Sequence, residues 1–136
     1  SSELYEEFVV PYISRLGEKL GSVRLHTCGI SDHIMKPISK IKNLNIIDTG
    51  SGTSIRTIRE LMGPDFTIHI APPMEFLMAN VPQTQISDWL GKALSDNRSG
   101  PLQIAYHIEP DYEILNCIAL YDELERRGLI ENKRLY

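Results

Sequence analysis

Apolar residues recur along this chain in two alternating rhythms, one helical and one with a period of two. Leu4, Phe8, Val9, Tyr12, Ile13 and Leu16 fall close to helical spacing, with Ser2 a natural N-cap and Gly21 a natural stop. The spacing predicts a helix over Glu3 to Lys19, interrupted or kinked near Pro11. Ser22 to Cys28 then alternates as a strand does. Ser31 caps a second helix with Ile34, Ile38 and Ile41 on one face, ended by Asn43. Leu44 to Asp48 is a second strand, and Thr49-Gly-Ser-Gly-Thr53 leads into a helix from Ser54 to Met62, striped by Ile55, Ile58, Leu61 and Met62. Gly63-Pro64 breaks it. Phe66 to Ala71 is a third strand, and Pro72-Pro73 opens a short turn or helix through Met78. A helix starting at Thr84 or Ser87 carries Ile86, Trp89, Leu90, Ala93 and Leu94, up to a polar break from Asp96 to Pro101. Leu102 to His107 is a fourth strand, and Asp111 begins a last helix that runs to Arg127 and stops at Gly128.

Strands that alternate with helices of this length imply parallel pairing with helical crossovers, so the fold class expected is α/β in one domain over residues 1–136. Four strands are too few to close a barrel. A (β/α)8 TIM-type barrel needs about 250 residues. The pattern therefore fits a doubly wound sheet, a half-barrel that pairs with another half, or one part of a longer protein. The opening helix has no strand before it, which fits the last of these.

Composition changes this picture only by exclusion. With 42% hydrophobic and 24% charged residues among 136, the chain can bury a core. Its net charge is −4 and its Lys and Arg residues are scattered, so neither nucleic acid nor an anionic membrane surface is an expected partner. The sequence shows neither a signal peptide nor an apolar run of about 18 residues, and the expected compartment is the cytoplasm. There the two cysteines, Cys28 and Cys117, point to thiol or metal chemistry rather than a disulfide.

If helices cover the apolar faces of the strands, the polar faces turn inward or towards a cleft. Those polar sets are Arg24, His26 and Cys28, then Thr67, His69 and Ala71, then Gln103, Ala105 and His107. The second strand is ambiguous, since Asn45 and Asp48 fall on opposite faces. Chemistry in parallel α/β folds sits at the C-terminal ends of strands, where Cys28, Asp48 and His107 lie. His26 and Cys28 share a face there, and a neutral imidazole beside a thiolate is a donor pair that Zn²⁺ takes. The same two residues also fit as a hydrogen-bonded sheet histidine and a small buried hydrophobe.

The run Glu6-Glu-Phe-Val-Val-Pro-Tyr12, the strand end Leu25-His-Thr-Cys-Gly29, the Pro72-Pro73 segment and Ile108-Glu-Pro-Asp111 before a helix resemble the C-terminal half of the uroporphyrinogen decarboxylase superfamily. His-Thr-Cys-Gly is similar to its zinc-dependent branch, the methylcobalamin:coenzyme M methyltransferases and related corrinoid-linked demethylation enzymes. The resemblance covers nearly the whole chain and implies about the last four βα units of a (β/α)8 barrel. It implies zinc held by a His-x-Cys pair and a distant third ligand, usually Cys. His26 and Cys28 match the pair, and His107 stands where the third ligand is expected, in place of cysteine. Tyr106 beside it fits poorly. The reaction implied is methyl transfer between a corrinoid, such as methylcobalamin, and a thiol. The partners implied are a corrinoid or corrinoid protein, a small thiol, and the missing half-barrel or a second copy. Asp48 or Glu109 would orient a ligand or substrate, or be ordinary strand-end and turn carboxylates, and His69 on its polar face reads as a substrate contact, a fourth ligand or a hydrogen-bonded strand histidine. A decarboxylase-like enzyme acting on a tetrapyrrole and a non-catalytic corrinoid- or metabolite-binding module are the alternatives.

Other features read more plainly. Gly50-Ser-Gly-Thr-Ser54 fits either an anion cradle or an ordinary βα turn with an N-cap, and it lacks the P-loop Lys. Cys117 falls with Ile114, Ile118 and Tyr121 on one helical stripe and reads as helix core. His33 reads as solvated, and Met35, Met62, Met74 and Met78 as helical filler.

Overall fold

The computed structural model describes residues 1–105 and 108–130. Their elements in order are α1 (Ser2–Phe8), α2 (Val10–Leu20), β1 (Val23–Thr27), α3 (Asp32–Ile38), β2 (Leu44–Thr49), α4 (Ile55–Met62), β3 (Thr67–Ile70), α5 (Met74–Met78), α6 (Gln83–Asn97), β4 (Leu102–Ile104) and α7 (Ile114–Arg126). The strands form one sheet in the order β1-β2-β3-β4, every pair parallel. The α/β class expected from the alternating periods is therefore what the chain adopts.

The residues fall into two compact units. One comprises Ser1–Pro72 and Ala93–Tyr106, the other Pro73–Lys92 and His107–Tyr136, each taken over its described residues. The first unit holds the sheet. Register partners in parallel strands point to the same side, so the sheet reads as rows. Leu25, Ile47, Ile68 and Leu102 form one row, and Thr27, Thr49, Ile70 and Ile104 another on that same face. Ile47, Ile68 and Ile70 are buried there, as are Met35 and Ile38 of α3 and Ile58 of α4. Arg59 is buried as well. Its guanidinium donates to the side chain of Asn97 and to the carbonyls of Phe66 and Pro101, among others, so each of its polar edges is satisfied. Burial still lowers its pKa from the ordinary arginine value.

The first helix of the sequence is two helices, with the break at Val9 (φ −102°, ψ −50°) and Pro11 in the first turn of α2, where its missing N–H costs nothing. Its apolar stripe is only partly covered, with Val9 and Ile13 half-buried. Leu4, Phe8, Tyr12, Leu16 and Leu20 are exposed, while Val10, Ser14 and Gly17 are buried. Close approach of backbone explains the choice. Ser14 Oγ accepts from Lys42 N at 3.1 Å, Asn43 Nδ2 donates to Gly17 O at 3.0 Å, and a Cβ on Gly17 would strike the Lys42 carbonyl. Only a small-residue face fits against that loop.

In the second unit, Phe76 and Trp89 meet edge to face at 6.1 Å, and Glu113 N donates to Leu77 O at 2.7 Å. Helix α7 starts three residues later than Asp111, with Glu113 as its N-cap accepting from Leu115 N. The stripe expected for this helix needs correction. Cys117 is buried, but Ile114, Ile118 and Tyr121 are exposed. The buried side is Asn116, Cys117, Leu120 and Glu123. It is selected by polar groups that find partners: Asn116 Nδ2 donates to the Phe76 and Ala79 carbonyls, and Glu123 accepts from Ser87, Arg126 and Arg127. Among the described residues no helix is long and apolar enough to cross a membrane.

Candidate functional site

The opposite face of the sheet is polar along one row. His26 of β1, Asp48 of β2, His69 of β3 and Gln103 of β4 are successive register partners. Asp48 thus belongs to the polar side, whereas Asn45 is the residue passed over where the register shifts between Val23 and Arg24. The register is what decides it, and a single strand's pattern does not carry that information.

His26 is the centre of a chain of contacts along this face. Its Nδ1 lies 3.0 Å from Asp48 Oδ2, and its Nε2 lies 3.0 Å from Cys28 Sγ. Arg24, two residues before His26 and on its face, donates from Nη2 to the same Asp48 Oδ2 at 2.6 Å. A carboxylate only accepts, so His26 Nδ1 donates to Asp48, which leaves Nε2 as the ring nitrogen facing the sulfur. The His26 side chain is 61% exposed and Asp48 19%. Burial by itself would push the Asp48 carboxyl up, but hydrogen bonds from Arg24 and His26 outweigh it and hold the carboxyl below the ordinary aspartate value. Asp48 therefore faces His26 as a carboxylate at neutral pH.

The positions two residues further along each strand are Cys28, Gly50, Ala71 and Ala105. Two of them continue the ladder, Ala71 N donating to Thr49 O and Ala105 N to Ile70 O, each at 3.0 Å. Beyond the polar row the thiol thus has three positions without a bulky side chain as its counterparts. Cys28 itself is exposed.

His69 sits beside Asp48 in register and is only 8% exposed, and its Nδ1 is buried with no hydrogen-bond partner among the described residues. His107 lies outside the described residues. Glu109 is exposed in the second unit, where its carbonyl accepts from Tyr112 N. Among the described residues, no group of three or more His, Cys, Asp and Glu side chains is placed to hold a metal. His26, Cys28 and Asp48 are brought together, with the carboxylate behind the imidazole rather than beside the thiol.

Arg24 was on the polar face in the sequence, but its bond to Asp48 had no local signal, because the two are 24 residues apart. The loop Gly50-Ser-Gly-Thr-Ser54 is an ordinary βα turn, in which Ser54 Oγ caps α4 by accepting from Thr57 N at 3.1 Å. No protein-family model matches the chain and no curated protein sequence matches it closely enough to count as a relative.

Proposed function

We propose that this chain forms the later βα units of a (β/α)8 barrel of the uroporphyrinogen decarboxylase type. We propose further that it takes part in methyl transfer between a corrinoid and a small thiol, at a zinc ion held by His26, Cys28 and His107. The observation that carries this reading is the pairing of His26 Nε2 with Cys28 Sγ while Nδ1 is committed to Asp48. A histidine that ligates a metal characteristically donates its other ring N–H to a carboxylate, which fixes the tautomer and makes the free nitrogen a better donor.

His26 and Cys28 are a nitrogen and a sulfur donor of the kind zinc takes, and the described residues bring no third donor to them. Nitrogen and sulfur that share a tetrahedral zinc stand about 3.6 Å apart. The observed 3.0 Å leaves only a few tenths of an ångström to open, and both side chains are exposed enough to do so. When bound, zinc supplies the Lewis acidity that favours the thiolate form of a substrate thiol. The chain's own residues then orient and enclose. Asp48 holds the His26 ring in one plane, and Arg24 fixes Asp48 in turn. The small side chains of Gly50, Ala71 and Ala105 leave room for the thiol and the methyl donor, and Asp48 and His69 offer polar contacts to the substrate. The overall exchange breaks the cobalt–carbon bond of the methylcorrinoid, forms a sulfur–carbon bond, and releases cobalt(I) corrinoid and the thiol proton.

The test is the decay of the methylcobalamin visible absorbance with 2-mercaptoethanol and zinc-loaded protein. Decay that depends on protein and is lost in Cys28→Ala supports the reading. Equal decay with wild type and Cys28→Ala contradicts it. A His107→Ala protein with wild-type zinc affinity would remove His107 from the ligand set.

A further inference from the structure

The turn that carries Cys28 is held from the neighbouring βα loop by one side chain. Thr53 is 3% exposed, and its hydroxyl both donates to Gly29 O at 3.0 Å and accepts from Ser31 N at 3.1 Å. Asp32 returns the grip in the other direction, its two carboxylate oxygens accepting from Ser54 N at 3.2 and 3.3 Å. Ser31 Oγ closes the turn on itself by donating to the Cys28 carbonyl at 3.4 Å. The two loops touch closely, and at Gly52 a side chain would not fit without a shift. A Cβ on Gly52 would lie 2.9 Å from Ile30 Cγ1 and 3.5 Å from Gly29 O, and one on Gly50 would lie 3.5 Å from Gly29 N. Gly29 itself has φ +68°, a conformation that glycine adopts without strain.

We propose that Thr53 is a positioning residue for Cys28: its hydroxyl fixes the turn 28–31 and thereby places the thiol against His26. The inference rests on the reading of Cys28 as a functional thiol, and it gives the Gly-Ser-Gly-Thr loop a purpose other than anion binding. Gly52 lets the loops meet, and Thr53 bonds across the contact. A hydroxyl serves both because the Gly29 carbonyl and the buried Ser31 N–H together ask for one donor and one acceptor on a single atom.

Thr53→Val keeps the shape and removes both bonds, whereas Thr53→Ser keeps the hydroxyl. The readouts are the rate at which iodoacetamide alkylates Cys28 in zinc-free folded protein, mapped by peptide mass spectrometry, the zinc dissociation constant, and the melting temperature. In Thr53→Val the Cys28 rate departs from wild type at least threefold and zinc binds about 10-fold more weakly. In Thr53→Ser both stay within a factor of two. A Thr53→Val protein that melts lower while its Cys28 rate stays within a factor of 1.5 overturns the inference and leaves Thr53 a structural clamp. If wild type binds no zinc, the functional reading fails, and the alkylation rates still decide the role of Thr53.

Discussion

Asp48 on β2 holds the His26 ring on β1 through Nδ1 at 3.0 Å, and in doing so turns Nε2 towards Cys28 Sγ. The relationship depends on register. His26 and Asp48 are direct partners across a parallel pair, and Arg24 reaches the same carboxylate oxygen from two residues earlier on β1. A carboxylate, an imidazole and a thiol thus stand in line at the end of the strand, each presenting the atom that the next one uses.

Removing the charge of Asp48 should weaken metal binding without unfolding the chain. Asp48→Asn keeps an acceptor for His26 Nδ1 but not the carboxylate that raises the donor strength of Nε2. We expect zinc affinity to fall about 10-fold, measured by competition with a chromophoric chelator, with the circular dichroism spectrum unchanged. Wild-type affinity in this variant would show that Asp48 does no more than anchor Arg24.

Gly17→Ala reverses the usual helix rule. Alanine in a helix interior is ordinarily about 1 kcal/mol better than glycine. Here the new methyl group meets the Lys42 carbonyl and also lies 3.2 Å from Val23 Cγ2, so it must push the loop away. We expect a loss of about 1–3 kcal/mol, read from urea unfolding. A gain in stability would mean that α2 does not sit this closely on the 42–43 loop.

Much of the fold was legible in the sequence, and the reason is periodicity. The period-two runs placed all four strands to within a few residues, and the capping Ser54 and the stop at Gly63 were readable locally. What was not legible depends on neighbours. Of the apolar stripe Leu4, Phe8, Val9, Tyr12, Ile13 and Leu16, only Val9 and Ile13 are half-buried and the rest are exposed, because backbone approach at Gly17 sets the buried side of α2. In α7, Cys117 is buried as its stripe implied, but Ile114, Ile118 and Tyr121 beside it are exposed, and Asn116 and Glu123 are inside because carbonyls and arginines in the same unit satisfy them. At the candidate site, the shared face of His26 and Cys28 was visible in a two-residue spacing. The places of Asp48 and Arg24 were not, since a register between strands fixes them.

Glu123 makes a prediction about pH. Hydrogen bonds from Arg126, Arg127 and Ser87 hold its carboxyl far below the ordinary glutamate range. A depressed folded value stabilises the chain at pH above the unfolded value of about 4.3, and that contribution is lost as the pH falls below it. Glu123→Gln should therefore be less stable than wild type at pH 7, with a smaller gap at pH 3. Urea midpoints of both proteins at the two pH values measure this, and an equal gap at both would show that the ion pairs are not the source of the stabilisation.

The measurement that bears most directly on the central claim is zinc per chain in the purified protein by elemental analysis, beside a His26→Ala/Cys28→Ala variant. The account predicts about one zinc per chain, tightly held by wild type and absent from the variant. A folded wild type that holds no zinc after incubation with the metal, or a double variant that holds as much as wild type, would contradict it.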